Sequence, residues 1–270
     1  MLAGCTPWPE TFARRYRARG HWEGISIPAA LAAAAAQRPD KVALVDGDQR
    51  VTYGQLVERI ERLAARFVHA GVKPLDRIVL QLPNVPAFLY AYFGLIRAGA
   101  IPVMALRAHR HTEVKHFINS SGAAAYVIPD RLREFDYCAM AEEMRSACPT
   151  LKQVFVAGTP RDGQTSLNEM LDAPMAPGDA RATLAGITLD PGEVALMLLS
   201  GGTTSLSKLI PRTHDDYVYN AKQCGRLAGF GEDTVLMLIL PLAHNYNLAS
   251  PGLMAALYAG GSVVLAPAGD

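Results

Sequence analysis

Apolar residues in this chain recur at two spacings, in alternating blocks. From Ile27 the pattern is regular. An alanine-rich run over 28–37, closed by Arg38-Pro39, predicts a helix and its stop. Val42 to Val45 predicts a short strand, followed by the turn Asp46-Gly47-Asp48. Thr52-x-x-Gln55 is a capping box, and behind it Leu56, Ile60, Leu63 and Phe67 follow helical spacing until Gly71. Strand 78–82 is stopped by Pro83-Asn84, and an apolar helix over 85–98 ends at Gly99. Strand 101–104, helix 113–121 and strand 124–128 continue the alternation. Strands separated by helices imply parallel pairing and an α/β fold of layered, parallel-rich sheets flanked by helices.

Residues 157–190 are richer in Gly, Pro, Asp and Thr, and predict a looser connection with one short helix near 167–171. Val194 to Leu199 predicts a buried strand that opens into a Gly/Ser/Thr loop. Helix 214–228, strand 235–240, helix 248–259 and strand 262–265 follow. The leucine- and methionine-rich runs at 194–199 and 235–240 read as core strands. Ahead of all this, residues 1–26 are aromatic and basic and read as an irregular arm lying on the body. The expected division is that arm, a first α/β subdomain over 27–190, and the start of a second over 191–270.

The 270 residues are 50% hydrophobic and 19% charged, which is a globular composition. A formal net charge of +1 gives no electrostatic case for nucleic acid or an anionic membrane. Cys5, Cys138, Cys148 and Cys224 are scattered and form no C-x-x-C pair, so reduced cysteines and a cytoplasmic location are expected. No apolar run approaches the roughly 20 residues of a membrane span. Leu2-Ala3-Gly4-Cys5 has the form of a lipoprotein cleavage box, but only Met1 precedes it, so lipidation is not expected.

The chemistry starts at Leu198-Leu199-Ser200-Gly201-Gly202-Thr203-Thr204-Ser205-Leu206-Ser207-Lys208. Its glycines let the backbone turn tightly. Its hydroxyls and N–H groups can donate to phosphate oxygens, and Lys208 adds a mobile charge. Composition alone would fit a linker, but the preceding apolar strand and the closing lysine set it apart. It is not a Walker loop, because Ser207 precedes Lys208 and Leu209 follows it.

This stretch resembles the phosphate-binding signature of the adenylate-forming superfamily: acyl-CoA ligases, luciferases and peptide-synthetase adenylation domains. Its continuation, Lys208-Leu209-Ile210-Pro211-Arg212-Thr213-His214-Asp215-Asp216-Tyr217, is similar to the aryl-acid AMP ligases of siderophore pathways. Thr213 is placed to cap the following helix, with Asp215 and Asp216 in its first turn, so the aspartates read as capping rather than catalytic residues.

Leu240-Pro241-Leu242-Ala243-His244-Asn245-Tyr246-Asn247-Leu248-Ala249-Ser250-Pro251-Gly252 puts a polar cluster between a strand and an apolar helix, where α/β ligands bind. The resemblance makes this the acyl-pocket motif in its aryl-acid form. It implies His244 near the reacting carboxylate, as the catalytic residue. It further implies Asn245 bonded to that carboxylate or to an ortho-hydroxyl, and Tyr246 and Ser250 shaping the ring pocket. Adenylation domains for α-amino acids typically carry an aspartate here, and His244-Asn245 supplies no carboxylate. Val103-Met104-Ala105-Leu106-Arg107-Ala108-His109-Arg110 resembles a further segment of the aryl-acid ligases, with Arg107 in place of a usual proline. Phe12-Ala13-x-x-Tyr16 and Gly20-His21-Trp22 resemble the family's opening. His109, His111 and His116 lack the carboxylates or cysteines of a convincing ligand set, so no metal site is assigned.

The resemblance implies ATP and Mg2+, and two half-reactions. An aromatic acid such as salicylate or 2,3-dihydroxybenzoate attacks the α-phosphorus of ATP, giving aryl-AMP and pyrophosphate. The phosphate loop, Ser200 to Ser205 with Lys208, holds the β- and γ-phosphates. The acyl group then passes to the phosphopantetheine thiol of an aryl carrier protein. The resemblance also implies missing parts: the adenine-binding segment, the acidic residue for magnesium, the ribose-binding aspartate and a C-terminal lid with a catalytic lysine. The chain is therefore expected to be an incomplete N-terminal portion of the large domain, with little activity alone and an unpaired sheet edge at the strand ending near Leu265. An acyl-CoA ligase for another acid, or a non-catalytic binding remnant, remain as alternatives.

Overall fold

The computed structural model describes residues 1–201 and 206–266. The N-terminal arm carries an amphipathic helix, α1 (Glu10–Ala18), where an irregular segment was expected. Ala13 is the residue this helix buries, while Trp8, Tyr16 and Trp22 pack edge to face around it at centroid distances of 5.3–6.3 Å. The aromatic cluster gives a short helix a surface to lie on, which its mostly polar sequence could not supply.

Helix α2 (Ile27–Gln37) starts where the Ser26 hydroxyl accepts from the N–H of Ala29, with Pro28 in its first turn. The hairpin β1 (Val42–Asp46) and β2 (Gln49–Thr52) turns through Gly47, whose φ of 53° favours glycine. Helix α3 (Tyr53–His69) opens with the expected capping box, Thr52 and Gln55 each bonding the other's backbone N–H. Then follow β3 (Arg77–Leu80), α4 (Pro86–Arg97), β4 (Ile101–Met104), α5 (His111–Ser121) and β5 (Ala125–Pro129). A small hairpin, β6 (Arg131–Leu132) and β7 (Phe135–Asp136), leads to α6 (Tyr137–Ala147) and β8 (Gln153–Ala157).

The connection over 157–190 holds β9 (Thr165–Ser166), α7 (Leu167–Asp172) and a second helix, α8 (Pro177–Leu184), beyond the one expected. Strand β10 (Val194–Leu199) is followed by β11 (Leu209–Thr213), which no sequence pattern announced, and then by α9 (His214–Leu227). The last elements are β12 (Val235–Leu238), α10 (Asn245–Ala249), α11 (Leu253–Tyr258) and β13 (Ser262–Leu265). The single helix expected over 248–259 is thus two. Pro251 has no N–H to continue the ladder, and Ser250 before it sits at φ −130°, outside the helical region.

A seven-stranded sheet runs β11-β10-β4-β3-β5-β8-β9, and a four-stranded sheet runs β12-β13-β1-β2. Both take strands from either side of residue 190, so the chain does not divide there into separate sheets. The pairs β10–β4, β4–β3, β3–β5 and β5–β8 are parallel; β10–β11 is antiparallel. Period-two alternation splits each strand between two cores. Ile78 and Leu80 face a core shared with the four-stranded sheet and α3, α4 and α11, whereas Val79 joins Val103, Phe117, Tyr126 and Met140 beneath α5 and α6.

Strand β13 lies between β12 and β1, in parallel register Leu44↔Val263 and Leu236↔Val263, so it is not the sheet edge that was expected. The edge is β12, because a strand from the start of the chain fills the slot on the other side of β13. Residues 235–240 are also not a core strand throughout. Leu238 is buried, but Val235, Met237 and Ile239 are 57–69% exposed on the alternate face. No described helix among those packed on this sheet covers that face.

Candidate active site at the strand C-termini

The loops that carry the polar motifs all leave the C-terminal ends of parallel strands, the crevice where open α/β sheets bind ligands. Two side chains just beyond β3 organise this end. Gln81, fully buried, donates through Nε2 to the carbonyls of Leu106 (2.6 Å) and His109 (3.0 Å), and its oxygen accepts from Tyr126. Asn84 donates to the carbonyls of Leu238 (3.3 Å) and Leu240 (2.8 Å) and accepts from the N–H of Leu242 (2.9 Å). Asn84 therefore ties the seven-stranded sheet to the segment that enters the acid-pocket motif. Leu82, Pro83, Asn84, Arg107, Ile239 and Pro241 line a cleft there. Nothing in the sequence singled out Gln81 or Asn84, because their partners are backbone groups of distant segments.

The turn at Arg107-Ala108 forms without the usual proline. Leu106 accepts from the N–H of His109 (3.0 Å), and His109 Nδ1 accepts from the N–H of Leu106 (3.0 Å). Burial pushes the His109 imidazole below its ordinary pKa, which suits this acceptor role. His111 instead faces Glu143 (3.3 Å). Among the described residues no group of three or more His, Cys, Asp or Glu is placed to hold a metal ion.

The Gly/Ser/Thr segment links β10 to β11, an antiparallel pair, rather than leading from a strand directly into a helix. Its neck is closed twice by Ser200: the N–H donates to the Lys208 carbonyl (3.0 Å), and the hydroxyl accepts from the Lys208 N–H (2.9 Å). Gly201 and Lys208 are exposed. Gly202, Thr203, Thr204 and Ser205 lie outside the described residues. His116 on α5 donates from Nε2 to the Ser207 carbonyl (2.9 Å), while the Ser120 hydroxyl bonds its Nδ1 (3.2 Å). A histidine that sequence weighed only as a metal candidate is therefore an anchor of this loop.

Behind the hairpin, Thr213 and Asp216 form a capping box at α9. The capping reading of the aspartates covers only part of their work. Asp216 also pairs with Arg212 (2.7 Å), and Asp215 accepts from Arg17 (2.9 Å) and from the N–H of Gly24 (3.2 Å). His214 Nδ1 accepts from the N–H of Ile27 (3.2 Å). Burial lowers this imidazole to a pKa of about 4, against the opposing pull of Asp190 and Glu193. Asp215, together with Asp216, which accepts from Trp8 Nε1 (3.4 Å), thus fastens the N-terminal arm to the start of α9, and His214 holds the start of α2 there.

In the acid-pocket motif, His244 is the N-cap of α10, and its Nδ1 accepts from the N–H of Tyr246 (3.2 Å). A neutral ring accepting at Nδ1 carries its proton on Nε2. Asn245 Oδ1 accepts from the Tyr217 hydroxyl (3.0 Å), Asn245 Nδ2 reaches Ser250 Oγ (3.5 Å), and Asn220 Nδ2 donates to the same Oγ (2.6 Å). Asn245 and Ser250 are thus brought together, joined by Tyr217 and Asn220 from α9, which sequence reasoning missed. Tyr246, by contrast, is 53% exposed and stands outside this cluster. Gly252 closes the turn so tightly that any side chain there would meet the Asn247 carbonyl.

A loop with phosphate-binding chemistry and a polar cluster backed by helix residues, both at strand C-termini, place the molecule among layered α/β nucleotide-binding proteins. More particularly, the chain belongs to the AMP-binding enzyme family, which matches residues 31–270. It is 42% identical over 267 residues to the 2,3-dihydroxybenzoate-AMP ligase of Bacillus subtilis, covering 99% of this chain and 48% of that protein. It is 41% identical over 275 residues to a salicyl-AMP ligase / salicyl-S-ArCP synthetase of Mycobacterium tuberculosis, covering 98% of this chain and 47% of that protein. The apo structure of Mycobacterium smegmatis MbtA superposes with a TM-score of 0.89 at 41% identity, over 97% of this chain and 48% of that one. The chain spans about half the length of the curated relatives it matches.

Proposed function

We propose that this chain supplies the phosphate loop and acid-binding half of an enzyme that adenylates an aromatic carboxylic acid, salicylate or 2,3-dihydroxybenzoate, and passes the acyl group to a carrier-protein thiol. The observation that carries the reading is the Asn245–Ser250 cluster, with His244 exposed at the N-cap of the same helix. It is polar, free of carboxylates and braced by Tyr217 and Asn220, so it offers hydrogen bonds to an anionic, oxygen-bearing acid rather than a counter-charge to an amino group.

In this mechanism His244 uses its Nε2 proton to hold one oxygen of the acid's carboxylate, leaving the other to attack the α-phosphorus of ATP. Asn245 and Ser250 fix the ring and its ortho-oxygen, which orients the attack in line. Lys208 and the donors of the Gly/Ser/Thr segment hold the phosphates that leave as pyrophosphate. The phosphopantetheine arm of an aryl carrier protein then takes the acyl group. Magnesium would neutralise phosphate charge in such a reaction, but the described residues present no carboxylate set to hold it, so no step is assigned to it here. The chain alone is expected to turn over slowly or not at all.

The deciding experiment is acid-dependent ATP–pyrophosphate exchange, run on this chain and on the longest reading frame that contains it. Salicylate, 2,3-dihydroxybenzoate, benzoate, an α-amino acid and a fatty acid form the panel. Exchange by the longer form with the hydroxybenzoates supports the reading. Exchange driven by the amino or fatty acid overturns it.

A further inference from the structure

Resting on that reading of the pocket, the hydrogen-bond directions around Ser250 and Asn245 say more than which atoms are near. A serine hydroxyl has two lone pairs and one proton. Ser250 Oγ receives the Asn220 amide at 2.6 Å and the Asn245 amide at 3.5 Å, and it donates to no group among the described residues. Both acceptor positions are thus taken, and what Ser250 has left to offer is its proton.

The orientation of each amide is set from behind. Asn220 Oδ1 lies 4.0 Å from the Cys224 thiol, a weak donor, while its amino end bonds Ser250 at 2.6 Å. Asn245 Oδ1 accepts from the Tyr217 hydroxyl at 3.0 Å. Tyr217 is fully buried, and burial pushes its ionisation far above the ordinary tyrosine range, so this phenol keeps its proton and remains a donor. That bond takes one lone pair of the Asn245 oxygen and fixes the amide so that its amino group lies toward Ser250.

We infer that Asn220 and Tyr217 are specificity-determining positioning residues: Asn220 holds the Ser250 oxygen and Tyr217 orients the Asn245 amide, so that both side chains present donors, which favours an ortho-oxygen acid over an ortho-amino acid. The phenol oxygen of salicylate can accept from the site while its own proton is shared with the neighbouring carboxylate. The amino group of 2-aminobenzoate presents N–H bonds, its lone pair being drawn into the ring. It would set donor against donor and leave buried hydrogens unpaired.

The test is calorimetric titration of benzoate, salicylate and 2-aminobenzoate into this chain and into the longest reading frame that contains it. The expected result is salicylate binding about tenfold or more tightly than 2-aminobenzoate. Asn220→Asp puts a carboxylate where the amide stood. It takes the Ser250 proton and turns the hydroxyl oxygen outward, so the ratio should fall severalfold or reverse. Tyr217→Phe, which keeps the buried ring, frees the Asn245 oxygen and should also lower the ratio. A purely structural role would weaken both acids alike. Equal binding of the two acids, or an unchanged ratio in both variants, sinks the inference and leaves the acid seat standing. If neither form binds any of the three acids, the underlying reading fails as well.

Discussion

Arg17 and Asp215 form a 2.9 Å ion pair across 198 positions of sequence, joining the N-terminal arm to the first turn of the helix behind the phosphate hairpin. The carboxylate is wholly buried, while the guanidinium is 45% exposed. Solvent therefore screens the arginine, and the pair's value lies mainly in not stranding Asp215.

Arg17→Ala is expected to cost about 1–2 kcal/mol, less than a fully buried pair because the N–H of Gly24 still serves Asp215. Both tryptophans of the chain, Trp8 and Trp22, sit in the arm, so tryptophan emission reports its docking directly. In the variant, emission should shift red at a urea concentration below the loss of helical circular dichroism. Coincident transitions in variant and parent would show that the arm does not depend on this pair.

His214 should make stability depend on pH. It is 4% exposed, and burial holds its pKa at about 4 in the fold, against 6.5 when free. Because the unfolded chain takes up the proton first, the contribution is complete above the unfolded value. It declines as pH falls from 6.5 toward 4, by about 3 kcal/mol in all. Protonation would also abolish the acceptor that holds the N–H of Ile27. His214→Gln retains an acceptor without the titration, so the difference in urea stability between parent and variant should shrink or invert between pH 7 and pH 4. His109, also lowered, is common to both proteins and cancels.

His116→Ala should separate stability from ligand binding. Its ring, on α5, holds the carbonyl of Ser207. Losing one such bond at a part-exposed position should lower global stability by under about 1 kcal/mol. Nucleotide affinity should drop about fivefold, because the loop must then be ordered by the ligand. Titration with a fluorescent ATP analogue, beside a urea melt, measures both. A large stability loss with unchanged affinity would reverse the assignment.

Gly252→Ala should damage the acid pocket without touching a polar group. The added methyl meets the Asn247 carbonyl, which is backbone and cannot swing aside. Overpacking of this kind costs about 1–3 kcal/mol. It should displace the segment from His244 to Ser250 and so weaken salicylate binding more than nucleotide binding. Parallel calorimetric titrations with the two ligands would reveal whether the damage stays local.

What was legible in the sequence was mostly local. The capping box at Thr52 and the cap at Thr213 depend on residues three apart, and both formed as read, the second with a reciprocal bond from Asp216 that was not. The parallel, layered architecture followed from the alternation of strand and helix patterns. Strand β11 was hidden because Pro211 and its charged neighbours break the apolar pattern, and pairing with β10 supplies what propensity does not. The unbroken apolar run over 235–240 could not distinguish a strand with one face in the core from a strand buried on both. Within the site, His244, Asn245 and Ser250 stood in one contiguous motif. Asn220 looked like any polar position on a helix until the fold set it 2.6 Å from Ser250. Gln81 and Asn84 serve backbone carbonyls in remote loops, an arrangement without a sequence signature.

The pairing of Leu44 with Val263 sets an order of events during synthesis. Strands β1 and β2 leave the ribosome early but have only each other as partners, a hairpin too small to be stable by itself. Their sheet cannot be completed until β13 has been made and has entered between β1 and β12. The other sheet can assemble β4-β3-β5-β8 from contiguous sequence much sooner. The nascent chain must therefore carry one half-built sheet, with the apolar faces of α2 and α3 waiting, until β13 has been made. Pairing across so long a stretch of sequence slows folding in general and leaves apolar surface open until the distant strands meet.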